Sequence, residues 1–322
     1  MTDELAAVRG GRFVVTGGCG FIGSHLCRRL VELGAARVTA LDSLRYGDRA
    51  NLGDAGVEVV RHTLGTDDPG LLAGPLAGAD GLFHLAAEKH NQSLDAPVAV
   101  LRANVEGTLS LYAAARERGV RRVVFSSSLY AYGRMSGPPM REDEVPRPAT
   151  IYGISKLAGE QLLVHAAKDG ALVGRALRYF FVYGPRQWAG MGYKSVILKN
   201  AERLKAGQPP LVFGNGEQAL DYLFVDDVVD ATLRAWARPV ADPSGVELLN
   251  LASGRATTVN ELLATLCRIA GRPFAPERGP ADATDGSCRV GDPARAEALL
   301  GWRASTSLEA GLQHVWRWIS AG

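Results

Sequence analysis

Residues Thr16 to Gly23 read TGGCGFIG, and no other stretch of this 322-residue chain limits its fold so strongly. A short β-branched run, RFVVT at 12–16, precedes it, and SHLCRRLVELG follows with apolar spacing near 3.6 and a terminal glycine. The turn therefore joins a strand directly to a helix. Gly17 permits the tight turn, Gly20 lets backbone approach a pyrophosphate, and Gly23 allows close helix-to-strand packing with helix N–H groups facing the anion. A second strand, RVTALD, ends at Asp42, where a carboxylate can accept both hydroxyls of a dinucleotide ribose and repel a 2′-phosphate. NAD is expected over NADP, with Arg45 and Arg49 the nearby cations that a 2′-phosphate would need. A glycine turn by itself is often only a tight loop, but here strand, helix and acid all stand where a dinucleotide requires them.

The rest of the chain extends the same pattern. Apolar strand candidates occur at 12–16, 37–41, 57–60, 81–85, 121–126 and 172–178 with helical stretches between them, the alternation of an α/β, Rossmann-type doubly wound parallel sheet. The segment 133–150 is rich in Pro and Gly and is expected to be a loop leading into a helix that carries Tyr152. Past residue 180 come loop-like segments, a strand-like DYLFVDD at 221–227, and amphipathic helices at 259–270 and 307–319. These predict a smaller carboxyl-terminal α/β substrate domain. The expected division is 1–178 with about 222–252 for the dinucleotide domain, and 179–221 with 253–322 for the substrate domain. No apolar run approaches the roughly 18 residues of a membrane span, no secretion signal is visible in MTDELAAVRG, and a net charge of +2 gives no reason to expect nucleic acid. Cys19, Cys27, Cys267 and Cys288 lack CxxC spacing, so a reducing cytoplasm and no metal site are expected.

The chemistry resides in TIYGISK and in the serine triplet Ser126 to Ser128. Tyr152 and Lys156 are four apart and share a helix face. An ammonium near a phenol draws its pKa from about 10 toward neutrality, so a tyrosinate can take an alcohol proton while hydride leaves the carbon. A serine at the end of strand VVFSSS can hydrogen-bond the same oxygen. A Tyr and Lys four apart are more often an ordinary surface pair; their position after a nucleotide turn and a serine-ended strand favours catalysis. His90, beside Glu88 and Lys89, could transfer protons, although a structural or solvated imidazole is the commoner role.

In these motifs the chain resembles the extended short-chain dehydrogenase/reductase superfamily, specifically the NAD-dependent nucleotide-sugar epimerases and dehydratases of the UDP-glucose 4-epimerase type. The resemblance covers nearly the whole length and rests on TGGCGFIGSHL, DSLRYGDRANL, HLAAEKHNQS with Pro97 and Asn104, SSSLYAYG, TIYGISK, RYFFVYGPRQ, VFGNGEQALDYLFVDDV and LLGWRASTSLEAGL. By motif position it implies Tyr152 as base, Lys156 as its partner and Ser128 as the serine. It implies Gly17, Gly20, Phe21, Ile22, Gly23, Asp42, Leu85, Ala86, Ala87, Asn104 and Lys156 against NAD. Lys89, Ser127, Tyr130, Phe181, Lys194, Ser195, Val212 and Leu220 would then face the substrate. It further implies a homodimer formed through the helices at 97–118 and 152–168.

Departures from the family pattern sharpen the expectation. Dehydratases of this family carry an acid directly after the catalytic Ser or Thr; this chain has Leu129 and Tyr130, so a 4,6-dehydratase is disfavoured. Tyr130 could act as an acid in epimerisation at carbon 3 or 5, with aromatic packing the stronger reading. Phe181, Ser195, Leu220 and Asp282 replace polar or arginine residues that face the diphosphate or sugar in relatives, and His62 or Thr63 replaces an adenine-contacting Asp. Either Lys194, Lys199, Arg186 or Arg289 has taken over the anion, or the substrate carries no diphosphate. The leading expectation is 4-epimerisation of an unusual nucleotide-linked sugar through a 4-keto intermediate with retained NAD. The alternatives are a dehydrogenase or ketoreductase acting on a sugar or cyclitol without a nucleotide, and an NAD-binding regulator without catalysis.

Overall fold

Strand β1 (Arg12–Thr16) buries Phe13, Val14 and Val15 completely, as expected of a strand covered on both faces. In the computed structural model, which describes residues 3–133, 137–187, 194–281 and 286–321, it is an interior strand of a seven-stranded sheet. The other strands are β2 (Arg37–Asp42), β3 (Glu58–Arg61), β4 (Gly81–His84), β5 (Arg122–Ser128), β6 (Val173–Tyr179) and β7 (Val246–Leu251). The spatial order is β7-β6-β5-β4-β1-β2-β3 and every pairing is parallel. Succession runs one way from β1 to β3 and the other way from β4 to β7. The crevice between β1 and β4 is thus the topological switch point, where open parallel sheets bind ligands.

The strand period of two separates the core into layers. Phe13 and Val15 pack with Leu26 and Leu30 of helix α1 (Phe21–Glu32), whereas Val14 faces the opposite layer with Leu111 of α2 (Gly107–Glu117) and Leu163 of α3 (Ile151–Ala167). A third cluster lies under α4 (Val196–Lys205), α6 (Val259–Ile269) and α7 (Leu308–Ala321), where Leu198, Leu204, Leu263, Leu266 and Leu312 meet. Between these lies α5 (Val225–Ala237), whose end is fastened to the sheet by Arg175 of β6. That guanidinium pairs with Glu247 of β7 at 2.6 Å and donates to the carbonyls of Ala235, Arg238 and Pro239. A charge so deeply buried is tolerable only because nearly every donor is used.

Two details differ from the sequence-based expectation. Of the strand-like DYLFVDD only Tyr222–Phe224 is a strand; Asp226 and Asp227 open α5, where acids suit the positive end of the helix dipole. The strand Val246–Leu251 was not among the expected strands, although it completes the parallel sheet beside β6. Asp282 lies outside the described residues.

Candidate active site

The glycine turn has the close contacts that its residue types require. Gly17 sits at φ 68°, and a Cβ there would come within 2.9 Å of the Ala86 backbone nitrogen. A Cβ on Gly23 would lie 2.1 Å from the carbonyl oxygen of Gly17, so the first turn of α1 packs directly on the strand end. Asp42, at the tip of β2, accepts the Cys19 amide on one carboxylate oxygen (2.9 Å) and the Leu44 amide on the other (2.8 Å). Burial pushes its pKa up and these two amides oppose that shift. Each oxygen keeps a lone pair for a further donor, as a ribose diol would supply. A cavity of about 470 Å³ opens here, lined by Gly17, Gly20, Phe21, Ile22, Gly23, Asp42, Leu85, Ala86, Ala87, Asn104 and Lys156. His62 and Thr63 line it as well, just past the tip of β3. Glycines too crowded for any side chain, an acid with free lone pairs and a helix N-terminus beside them suit NAD.

The loop after β4 is held by Asn104. Its side chain accepts the Glu88 amide at 2.7 Å, donates to the Glu88 carbonyl at 3.0 Å, and reaches Ser155 of α3. Asn104 sits in a π-helical turn, Arg102–Glu106, one of the local irregularities that helices use to aim a side chain.

Farther along the same cavity stand Ser126, Ser127, Ser128, Tyr152 and Lys156. Helix α3 starts at Thr150, whose hydroxyl accepts the Gly153 amide at 3.0 Å. That start directs Tyr152 and Lys156 onto the end of β5. Ser128 stands near enough to the Tyr152 phenol to oppose the rise that burial gives its pKa, while its hydroxyl accepts the Tyr130 amide at 3.3 Å. Lys156 donates to the Ser126 carbonyl at 2.7 Å and holds its ammonium 5.7 Å from the centre of the Tyr152 ring. The expected lowering of the phenol pKa is absent from the protein alone. Burial pushes Tyr152 up to about 12 and Lys156 down to about 7, with Ser128 opposing the first shift and Glu160 the second. Removal from water penalises the ionised form of both groups and outweighs the contacts that oppose it.

The remaining sequence-predicted residues are spread more widely. Ser127 lines the cavity but turns its hydroxyl to Glu160 at 2.5 Å, and Glu160 in turn takes two hydrogen bonds from Arg178, at 2.9 and 2.8 Å. Tyr130 stacks on His90 with ring centres 4.7 Å apart, meets the Tyr152 ring edge-on at 5.7 Å, and has the Arg289 guanidinium 5.9 Å away. Lys89 and Ser195 line the cavity; Ser195 also caps α4 through the Leu198 amide and donates to Gln187. Lys194 pairs with Glu202 at 2.6 Å. Phe181 lies against Tyr222, Leu220 is buried in a small sheet between residues 257–258 and 288–289, and Val212 is in the core under α4; none of these three lines the cavity.

Sequence reasoning did not single out Glu160 and Arg178, nor Tyr179, Phe180, Val182 and Gln187 on the cavity wall. Glu160 carried one signal: it follows Tyr152 and Lys156 by a further helical turn on the same face.

With this geometry in place, comparison with known proteins is direct. A profile of the NAD dependent epimerase/dehydratase family matches residues 13–252. The chain is 36% identical over 309 residues to a UDP-glucose 4-epimerase of Mycolicibacterium smegmatis, covering 94% of this chain and 96% of that one. It superimposes on the Thermotoga maritima UDP-glucose 4-epimerase solved with UDP-glucose with a TM-score of 0.87 at 34% identity, covering 95% of this chain and 98% of the other. For the Thermus thermophilus UDP-glucose 4-epimerase in complex with NAD, the TM-score is 0.84 at 30% identity, with 96% and 98% covered. The chain belongs to the NAD-dependent epimerase/dehydratase family, within the extended short-chain dehydrogenase/reductase superfamily.

Proposed function

We propose that this protein is an NAD-dependent 4-epimerase of a nucleotide-linked sugar, with Tyr152 as base, Lys156 as its charge partner and Ser128 as the hydrogen-bonding hydroxyl. The observation that carries this reading is the convergence of all three side chains on one cavity that continues into the glycine turn and Asp42. NAD, when bound, supplies the hydride acceptor and, once reduced, the donor that returns the hydride. Tyr152 takes the proton of the sugar 4-hydroxyl as the carbon is oxidised and gives it back on re-reduction. Ser128 steadies the same oxygen, and the Lys156 ammonium favours the phenolate that burial alone resists. A cationic nicotinamide close to the phenol would favour its ionised form further.

Two observations argue against water elimination. Leu129 is in the core and Tyr130 is stacked on His90, so the positions after Ser128 offer no carboxylate. The preference for NAD over NADP gains support from Arg45, whose guanidinium is already paired with Glu88 at 2.9 Å. The epimerase relatives support a nucleotide-linked substrate, and the buried Leu220 is consistent with packing having taken the place of the arginine expected there. An exposed apolar stripe on the 97–117 helical stretch and on α3 supports a homodimer, and four unpaired cysteines suit a reducing cytoplasm.

The purified protein should be incubated with UDP-, GDP-, CDP- and dTDP-sugars and with free sugars, and followed by NMR and by absorbance at about 340 nm, where the reduced nicotinamide absorbs. Inversion at carbon 4 of a nucleotide sugar without net absorbance change is expected. Turnover only of a free sugar, with accumulating NADH, would overturn the proposal.

A further inference from the structure

A 4-epimerase must return the hydride to the molecule it came from, so its cofactor has to outlast each turnover. On that reading, what holds NAD in the groove becomes a structural question. The sheet order places β1 between β4 and β2, and neighbouring strands lie about 4.8 Å apart. Any side-chain bridge from the loop after β2 to the loop after β4 must therefore pass over the carboxyl end of β1. That end carries the glycine turn.

Such a bridge is present. Glu88, in the loop after β4, accepts Arg45 Nη1 on one carboxylate oxygen at 2.9 Å and the Tyr46 hydroxyl on the other at 3.0 Å. Both feet are anchored. On the β2 side, the Asp48 amide and the Asn51 side chain donate to the Cys19 carbonyl, each at 3.0 Å, and a Cβ on Gly47 would come within 2.8 Å of the Cys19 backbone. On the β4 side, Asn104 holds the Glu88 backbone at both its amide and its carbonyl. The Arg45 guanidinium lies 5.1 Å and the Lys89 ammonium 5.0 Å from the centre of the Tyr46 ring. Tyr46, Glu88, Gly17 and Gly20 line one continuous cavity, so the bridge and the turn face the same space.

We infer that Arg45, Tyr46 and Glu88 form a strap across the dinucleotide groove that slows release of NAD between half-reactions. The strap is suited to opening as well as closing. The Glu88 side chain is 13% exposed, but the Arg45 side chain is 59% exposed and its pairing with Glu88 is screened by water. The Tyr46–Glu88 hydrogen bond is the better sheltered of the two contacts. Burial and the neighbouring carboxylate push the Tyr46 phenol up to about 12, so it remains a donor. None of the three is a catalytic residue; they act on the lifetime of the bound cofactor.

The test reads cofactor release directly. NAD-loaded protein is passed into NAD-free buffer, and bound NAD is quantified over time after acid release, for the wild type and for Glu88→Ala, Tyr46→Phe and Arg45→Met. Removing Glu88 should speed release by about tenfold or more, the order expected from a lost charge-assisted hydrogen bond. Tyr46→Phe should account for most of that change and Arg45→Met for less. Because both partners act through one carboxylate, adding Tyr46→Phe to Glu88→Ala should produce little further change, a coupling that general loosening of the loops would not produce. Equal release rates in wild type, Glu88→Ala and Tyr46→Phe would overturn the strap. Should Glu88→Ala fail to fold, Tyr46→Phe combined with Arg45→Met gives the same decision. Failure of the epimerase reading is separate: wild-type protein that inverts no nucleotide sugar, yet releases NAD at strap-dependent rates, refutes the reaction and leaves the strap standing.

Discussion

Tyr152 is subject to two opposed influences, burial that raises its pKa to about 12 and the Ser128 hydroxyl that lowers it. Replacing it with Phe keeps the ring and its packing against Tyr130 while removing the phenolic oxygen proposed to exchange the sugar proton. Tyr152→Phe should lower kcat by about 10²- to 10⁴-fold, the usual worth of general acid–base catalysis, with little change in KM for the nucleotide sugar. Loss of that size in NMR-monitored turnover checks it; a variant with near wild-type kcat would remove Tyr152 from the reaction. His84 shows the same influence of burial on stability. Its ring lies between Thr16 (2.7 Å) and Thr108 (2.9 Å), and burial lowers its pKa from 6.5 to about 3, with the Lys156 charge adding to the effect. Between those values the unfolded chain binds more protons than the folded one, so stability rises with pH across the window and is lost as pH falls below about 6.5. Chemical denaturation of wild type and His84→Gln at pH 6.5 and 4.5 should show the smaller loss in the variant, the difference bounded by about 1.4 kcal/mol per pH unit. Equal losses would mean that His84 is protonated in the fold. Tyr152 and Lys156 were legible in the sequence as a pair on one helix face because helical spacing sets their directions locally, whereas the choice of Ser128 from the serine triplet came from the family resemblance. The Glu160–Arg178 pair was not, since its meeting depends on which strand lies beside β5 and in what register.

At the scale of elements, the β1–turn–α1 unit was the most legible part of the chain, because Gly17 and Gly23 answer steric demands that only glycine meets. Gly23 gives the sharpest case. A methyl group there would sit 2.1 Å from the Gly17 carbonyl oxygen, and since both partners are backbone, the helix must move off the strand. Gly23→Ala should therefore lose most bound NAD while keeping its helical circular dichroism, as checked by cofactor content after purification and by titration with added NAD. Wild-type NAD affinity in that variant would show that the dinucleotide does not lie on this turn. DYLFVDD was less legible. Its alternation favours a strand, but Asp227 is fixed by tertiary contacts, accepting the Ser305 hydroxyl at 2.9 Å and the Thr306 amide at 3.0 Å from a segment some 80 residues away in sequence. Local pattern cannot foresee such partners. The same limit hid β7, whose Glu247 is buried only because Arg175 stands opposite it in β6.

The whole molecule exposes an apolar surface that one chain leaves uncovered. Leu94, Val98 and Leu109 are 71%, 68% and 50% exposed, and Ile154 and Val164 on α3 are 43% and 39% exposed. Val98 and Leu109 lie on the helical stretch that runs from Pro97 into α2, and Ile154 and Val164 lie on α3. Helices α2 and α3 pack side by side, so the two sets of exposed side chains lie on neighbouring elements. Contiguous apolar patches of this kind mark association sites, and a twofold pairing of the patch with itself is the simplest closed arrangement. Helix α3 turns Tyr152 and Lys156 toward the cavity and Ile154 and Val164 toward solvent, so covering the outer face would also brace the catalytic one. Placing charges in the patch with Leu109→Glu and Val164→Glu should convert a dimer into a monomer of 34.2 kDa by light scattering, because two carboxylates from each chain would then meet across the twofold axis without counter-ions. Neither site is in the core, so circular dichroism should be preserved, while turnover should fall as α3 loses its support. A wild-type chain that scatters as a 34.2 kDa monomer at micromolar concentration would end the dimer proposal and leave the patch to a different partner.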